Sequence, residues 1–267
     1  MTHQFFKPAS IEEAMTLKET HGETSTWFAG GAFLNHIDRK GSFQQFICLE
    51  QLQLSAIEEK DQQLEIGALA KLQDILDNDL TPDALKLAIK DAAVRTIRNL
   101  CTIGGDVAMG GSITRLAPCL MAMKTSMVLA NNQELLLEDY LLGNKNDLIV
   151  KFKIPINKRR YKVLKLSHQA NSEPVFTIAV GMEKLSTGTI SDLVIAIGSV
   201  EEKCRRMREL EAAIQAKSIT DHESIQKAVY DFIQPRSDIL GSAMYKMYIT
   251  AQAVADCVMS CLKGEKQ

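Results

Sequence analysis

Two pairs of glycines are the residues in this chain best suited to holding a ligand. Ala29-Gly30-Gly31-Ala32 ends a β-like run, Thr26–Phe28, and Gly104-Gly105 follows a helical stretch and a short β-like link. Paired glycines let the backbone reach φ > 0 and remove the Cβ atoms that keep a ligand at a distance. Successive N–H groups in such a turn can converge on an anion such as a pyrophosphate. The same pairs would also serve as plain tight turns. Neither fits G-x-G-x-x-G or the P-loop pattern, so a Rossmann or P-loop site has no support.

The other reactive residue types are dispersed. His3, His21, His36, His168 and His222 lack a second His or a carboxylate at helical ligand spacing, so surface or capping roles are expected. The six cysteines include no C-x-x-C and no Cys/His pair at zinc spacing. Cys257 and Cys261, four apart in an apolar helical pattern, read as buried helix thiols. No metal site, iron–sulfur ligand set or disulfide scaffold follows, and a reducing cytoplasm is the expected location. Spacing supports no Ser-His-Asp arrangement or carboxylate dyad, and the eleven methionines read as core filling.

Composition excludes whole classes. The chain has 267 residues, 46% hydrophobic and 24% charged, which speaks against wholesale disorder. Its 31 Lys+Arg balance 33 Asp+Glu, a net charge of -2 that leaves no footprint for nucleic acid. No apolar run is long enough for a transmembrane helix, and Met1–Pro8 does not resemble a secretory signal. One large or two modest domains are expected.

The elements that must position the glycines follow from periodicity. Ser10 and Glu13 form a capping box for a first helix, and strands are expected at Thr26–Phe28, Gln45–Leu49 and Gln63–Gly67. Asp83–Leu100 reads as one helix running into a second glycine turn at Gly104-Gly105. Leu116–Met123 reads as helix and Ser126–Ala130 as strand. Lys151–Lys165 holds seven basic residues and no acid, which marks the best domain boundary. Beyond it, Tyr161–Ser167, Val175–Lys184 and Leu193–Val200 read as a three-stranded sheet. Two or three helices follow, one capped by Thr220 and Glu223, the last at Tyr245–Leu262. Glu201–Lys203 and Arg205-Arg206 read as a solvated face or a subunit contact. The order is α+β in two domains rather than regular βαβ alternation.

Two of these segments carry a family likeness. Trp27-Phe28-Ala29-Gly30-Gly31-Ala32-Phe33-Leu34 and Thr102-Ile103-Gly104-Gly105-Asp106-Val107-Ala108 resemble the two pyrophosphate loops of the FAD-binding subunits of molybdenum hydroxylases, the xanthine dehydrogenase and carbon monoxide dehydrogenase medium chains. Leu116-Ala117-Pro118, Asp147-Leu148-Ile149, Ile154-Pro155 and Tyr161–Ala170 match at the expected distances. Within the family the chain looks most like the short flavin subunits associated with putative selenate reductase or xanthine dehydrogenase systems.

The resemblance implies an FAD-binding domain of the vanillyl-alcohol-oxidase (PCMH) type over residues 1–158, with subdomains 1–54 and 55–158. A small α+β C-terminal domain, 159–267, would follow. FAD would lie extended against both glycine segments, with Ala29 to Phe33 and Thr102 to Asp106 offering N–H groups, Thr102 a hydroxyl, Ile149 an apolar surface and Lys165 a cation. The implied partners are a molybdopterin-containing large subunit and a 2Fe–2S small subunit, with NAD⁺ as one acceptor. Two positions depart from the family: Asp106 stands where Asn is usual, and Thr114-Arg115 where Ser-Asp is usual. Arg115 would compensate by pairing with Asp106 or with the phosphates. Alternatives are a scaffold subunit with a degenerate FAD site, or a self-contained flavin oxidase or reductase.

Overall fold

The computed structural model describes residues 3–35, 44–110, 115–143, 147–169 and 172–264. Strand β1 (Gln4–Phe6) leads to helix α1 (Ile11–His21), then to β2 (Ser25–Phe28) and β3 (Gln45–Cys48). The three strands form a parallel sheet in the order β1-β3-β2. The capping box forms: Glu13 N–H donates to Ser10 Oγ at 3.1 Å, while Glu13 Oε2 accepts the Ala9 N–H at 2.8 Å. Ala14, Ile47, Leu49, Leu52 and Leu148 close a small core beneath this sheet.

A second sheet follows, built from β4 (Ile57–Lys60), β5 (Gln63–Gly67), β6 (Ser126–Leu129), β7 (Glu134–Leu136) and β8 (Ile149–Pro155). Its order is β4-β5-β8-β6-β7, antiparallel throughout. Between β5 and β6 the chain makes α2 (Leu72–Asp77), α3 (Asp83–Ala92), α4 (Arg95–Arg98), α5 (Ile103–Met109) and α6 (Ala117–Ala122); α7 (Leu137–Leu142) follows β7. The expected single helix over Asp83–Leu100 is therefore two. Ala93, at φ -159° and ψ 154°, breaks it.

Three cations from three segments bond to the last carbonyls of α3 and the residue after it: Lys165 to Asp91 O at 2.8 Å, Arg115 to Ala92 O at 2.6 Å, and Arg98 to Ala93 O at 2.6 Å. Carbonyls at a helix C-terminus lack intrahelical partners and carry the negative end of the dipole, so each bond satisfies an orphan acceptor with a favourable charge.

The third sheet comprises β9 (Arg160–Ser167), β10 (Pro174–Lys184), β11 (Ile190–Gly198) and β12 (Arg205–Arg206), antiparallel in the order β12-β11-β10-β9. It has four strands rather than the expected three, because Arg205-Arg206 pairs with β11. Those arginines make ion pairs with Glu201 and, on the following helix, Glu211, at 2.8 and 2.6 Å, so both are compensated within the fold. Helices α8 (Arg208–Gln215), α9 (His222–Phe232) and α10 (Ala243–Lys263) cover one face. Asp221 rather than Thr220 caps α9, its carboxylate accepting the Ser224 N–H at 2.9 Å. Cys257 and Cys261 are buried on α10, and all six cysteines are free thiols.

The two faces of this sheet differ in side-chain size. Phe176, Ile178, Val180 and Met182 of β10 enter the core beneath α8–α10. The opposite face carries Ala179 and Gly181 from β10 and Ala196 and Gly198 from β11, and receives α6. A Cβ at Gly181 would stand 2.4 Å from the Ala122 carbonyl oxygen, so the small face is what admits the helix. No helix among the described residues is long and apolar enough to cross a membrane.

Candidate cofactor cleft

Loop geometry brings the glycine segments together. Gly31 adopts φ 69°, in the left-handed region that favours glycine. A Cβ on Gly30 would lie 1.6 Å from the Leu100 carbonyl oxygen, so the first loop seats directly on the approach to the second. Gly104 and Gly105 do not form a turn. They occupy the first turn of α5, with Thr102 as N-cap accepting the Gly105 N–H at 3.1 Å.

This placement changes what the second segment offers. Ile103 N–H donates to Ala70 O at 3.0 Å, Gly104 N–H to Ala68 O at 2.9 Å and Asp106 N–H to Thr102 O at 3.0 Å. Four of the five expected N–H donors, those of Ile103, Gly104, Gly105 and Asp106, are thus engaged inside the fold, which anchors α5 to the segment after β5. What faces outward is thin backbone and the Thr102 hydroxyl, whose proton remains to donate while its oxygen accepts.

Both segments line one cleft of about 1120 Å³. Ala29, Gly30, Gly31, Ala32, Phe33 and Leu34 form part of its wall, with Thr102, Gly104, Gly105, Asp106 and Ile149. Sequence reasoning did not find Lys18, Glu23, Val94, Ile97, Asp147 or Glu173, which also line it. Val94 and Ile97 are 38% and 37% exposed, high for apolar residues on a helical stripe, because they face the cleft rather than the core. In the sequence Ile97 keeps the helical spacing of the Asp83–Leu100 stretch.

Lys165 stands apart from this wall. With Asp91, Arg115 and Thr177 it lines an adjoining pocket of about 20 Å³, which shares Ala92 and Arg115 with the cleft. Burial and the neighbouring Arg115 charge lower its pKa, against the opposing effect of Asp91. His168 is exposed, with Nε2 2.9 Å from the Leu240 carbonyl oxygen. His222 lies 2.8 Å from Asp256. Gly111, Ser112, Thr114, His36 and Ala170 lie outside the described residues.

The expected compensation of Asp106 takes another form. Asp106 Oδ2 accepts the Leu116 N–H at 3.1 Å, while the Arg115 guanidinium donates to the Ala92 carbonyl. Burial raises the Asp106 pKa to about 6; the Leu116 N–H and the Arg115 charge pull the other way. Nearby Cys101 is pushed up to about 12 by burial and by Asp106, so it is no thiolate nucleophile. Lys18 donates to Ser25 O at 2.7 Å and Gly22 O at 3.1 Å, with Nζ 5.9 Å from the Trp27 ring centroid. Burial lowers its pKa. Among the described lining residues, Lys18 and Arg115 are the basic ones and Glu23, Asp106, Asp147 and Glu173 the acidic ones.

Comparison with known proteins gives this geometry its context. A family model for the FAD-binding domain in molybdopterin dehydrogenase matches residues 1–157, and one for the CO dehydrogenase flavoprotein C-terminal domain matches 159–260. The chain belongs to this family. It is an FAD-binding medium subunit of the molybdenum hydroxylase type. Uncharacterised protein YgfM of Escherichia coli K12 is 33% identical over 268 residues, spanning 100% of this chain and 99% of its own. The glyceraldehyde dehydrogenase medium chain of Sulfolobus acidocaldarius is 25% identical over 263 residues, 91% of this chain and 92% of its own. Among solved structures, a carbon monoxide dehydrogenase chain from Hydrogenophaga pseudoflava superposes with TM-score 0.90 at 24% identity, over 98% of both chains. A quinoline 2-oxidoreductase chain from Pseudomonas putida 86 gives 0.85 at 17%, over 100% of this chain and 99% of its own. These likenesses show the same fold.

The residues present fit FAD. The cleft lies at or above the upper end of the ~300–1,000 Å³ usual for small-molecule sites, as an extended dinucleotide requires. Leu69, Val94, Ile97, Leu148 and Ile149 supply apolar wall for a flat ring system, and Gly31, Gly104 and Gly105 supply wall without Cβ atoms.

Proposed function

We propose that this chain is the electron-transfer subunit of a multi-subunit molybdenum hydroxylase. A molybdopterin-containing large subunit would oxidise the substrate, and a 2Fe–2S small subunit would relay electrons to this chain, which delivers them to an acceptor such as NAD⁺. The observation that carries the reading is a single cleft walled by both glycine segments. Bound there, FAD supplies redox chemistry open to both one- and two-electron partners.

The chain's own residues bind, orient and shield. Val94, Ile97 and Ile149 exclude water from the apolar stretch, and Thr102 offers a hydroxyl proton. Arg115 on the cleft wall and Lys165 in the adjoining pocket, both held against the α3 carbonyls, would supply positive charge to the reduced flavin. On this reading residues 1–158 carry the cofactor and 159–267 form the cap. Free, mostly buried thiols suit a reducing cytoplasm. Substrate choice, including a xanthine dehydrogenase-like one, belongs to the large subunit.

The experiment is reconstitution with the two partner subunits. Substrate-dependent reduction of the acceptor should require this chain and be lost when it is omitted. Acceptor reduction at full rate without it would contradict the reading. A second reading, a scaffold with a degenerate site, draws on the buried Asp106 carboxylate in the cleft wall. That reading expects the complex to assemble around a chain that takes up no FAD.

A further inference from the structure

Asp106 combines three properties not needed for the fold. It is only 7% exposed, it lines the cleft, and the backbone N–H groups of Leu116 and Arg115 rather than a salt bridge hold it. A structural cap would accept that N–H equally well as an uncharged amide. A carboxylate in this place sets an anionic group against an anionic ligand where little water screens the two.

The charges around it do not neutralise it locally. Arg115, from the segment before α6, gives it a backbone N–H and a favourable charge, but its guanidinium serves the Ala92 carbonyl rather than pairing with the carboxylate. Cys101, from the segment before α5, is a neutral thiol, its pKa pushed up to about 12. Lys165 donates to the Asp91 carbonyl, and the Arg115 and Asp91 charges act on it. The further charged residues on the described cleft wall are Lys18, which hydrogen-bonds to two carbonyls, and the acids Glu23, Asp147 and Glu173. Three of these four add to the repulsion of an anion.

We propose that FAD binding by this subunit is coupled to uptake of one proton at Asp106, so that the side chain accommodates the pyrophosphate-bearing ligand as the neutral acid. The proton comes from solvent and converts the carboxylate to a carboxylic acid. The neutral group keeps an acceptor oxygen for the Leu116 N–H and carries no charge against an anionic ligand. This inference rests on the FAD reading above and deepens it. Burial raises the pKa of Asp106 to about 6, so little further shift brings protonation to neutral pH.

Linkage sets the size of the effect. Between the pKa of the free subunit and the higher one of the complex, affinity falls by up to about tenfold per pH unit. The test is FAD titration of the intact subunit at pH 6 to 8, with Asp106→Asn alongside. The dissociation constant of the natural protein should rise by roughly tenfold across that range. Asp106→Asn should be nearly flat and bind more tightly at pH 8. Calorimetry of the natural protein at pH 7 in two buffers of different ionisation enthalpy should show net proton uptake, a readout that needs no variant. Parallel pH profiles for the two proteins, or no proton uptake, would overturn the proposal. Absence of FAD binding by both at every pH would overturn the underlying flavin reading and this inference with it.

Discussion

At the residue scale, the chain's most consequential choices are a carboxylate and a glycine. Asp106 has a folded pKa above its unfolded value, because burial disfavours the charged form more than the Leu116 N–H and Arg115 favour it. Such a group stabilises the fold most below its unfolded pKa, near 4, and that contribution is lost as pH rises to about 6. Replacing it with Asn, which keeps the acceptor for Leu116, should therefore stabilise the protein at pH 7 by on the order of 2 kcal/mol. Thermal melts should show the gain shrinking toward pH 4; an equal gain at both pH values would contradict the assigned burial cost. Gly30 is constrained on the other side. With Leu100 O at 1.6 Å from any Cβ, Gly30→Ala must push the two cleft segments apart. It should cost about 3 kcal/mol in denaturant unfolding and weaken FAD binding together. The need for small residues at both glycine pairs was legible in the sequence. That Gly104 and Gly105 begin a helix was not, because Thr102 reads as a cap only once the preceding chain is known to be extended.

At the element scale, the end of α3 organises the site. Its terminal carbonyls gather Lys165, Arg115 and Arg98 from β9, the segment before α6, and α4, so one helix end fixes three parts of the cleft's surroundings. Arg115→Ala leaves the Ala92 carbonyl without that partner and should destabilise by about 1–2 kcal/mol. It should also raise the FAD dissociation constant, whereas Arg115→Lys should restore part of both; unchanged stability and affinity in Arg115→Ala would refute the strut. Hydrophobic spacing located α3 but ran it on to Leu100, since Ile97 kept the helical period. The period misleads there because Val94 and Ile97 serve a ligand cleft, not a core. Strand β4 escaped notice for a different reason: Glu58-Glu59-Lys60 lie exposed on a sheet edge and carry no alternation.

At the scale of the whole molecule, the third sheet locks to the rest through small residues and a charge cluster. Arg159, its side chain 2% exposed, pairs with Asp192 of β11 and donates to the Gly181 carbonyl at 2.7 Å. Lys124, just beyond α6, pairs with the same carboxylate. Burial alone would raise the Asp192 pKa, but Lys124 and Arg159 outweigh it and hold it low. Asp192→Ala strands a buried guanidinium and should destabilise by about 3 kcal/mol in equilibrium unfolding, with loss of the α6–sheet contact. An effect below about 1 kcal/mol would show that the small-residue face suffices alone. The basic stretch Lys151–Lys165 was marked in the sequence by its charge. Its role in tying Arg159 to Asp192 was not, because that pairing depends on strand register.

The central claim, that this subunit holds FAD in the cleft between its glycine segments, is met most directly by titrating the purified protein with FAD. Saturation at one flavin per chain is expected, with bound absorbance at about 450 nm and binding weakened by Gly30→Ala. Colourless protein that takes up no flavin at any concentration, while correctly folded, would contradict it.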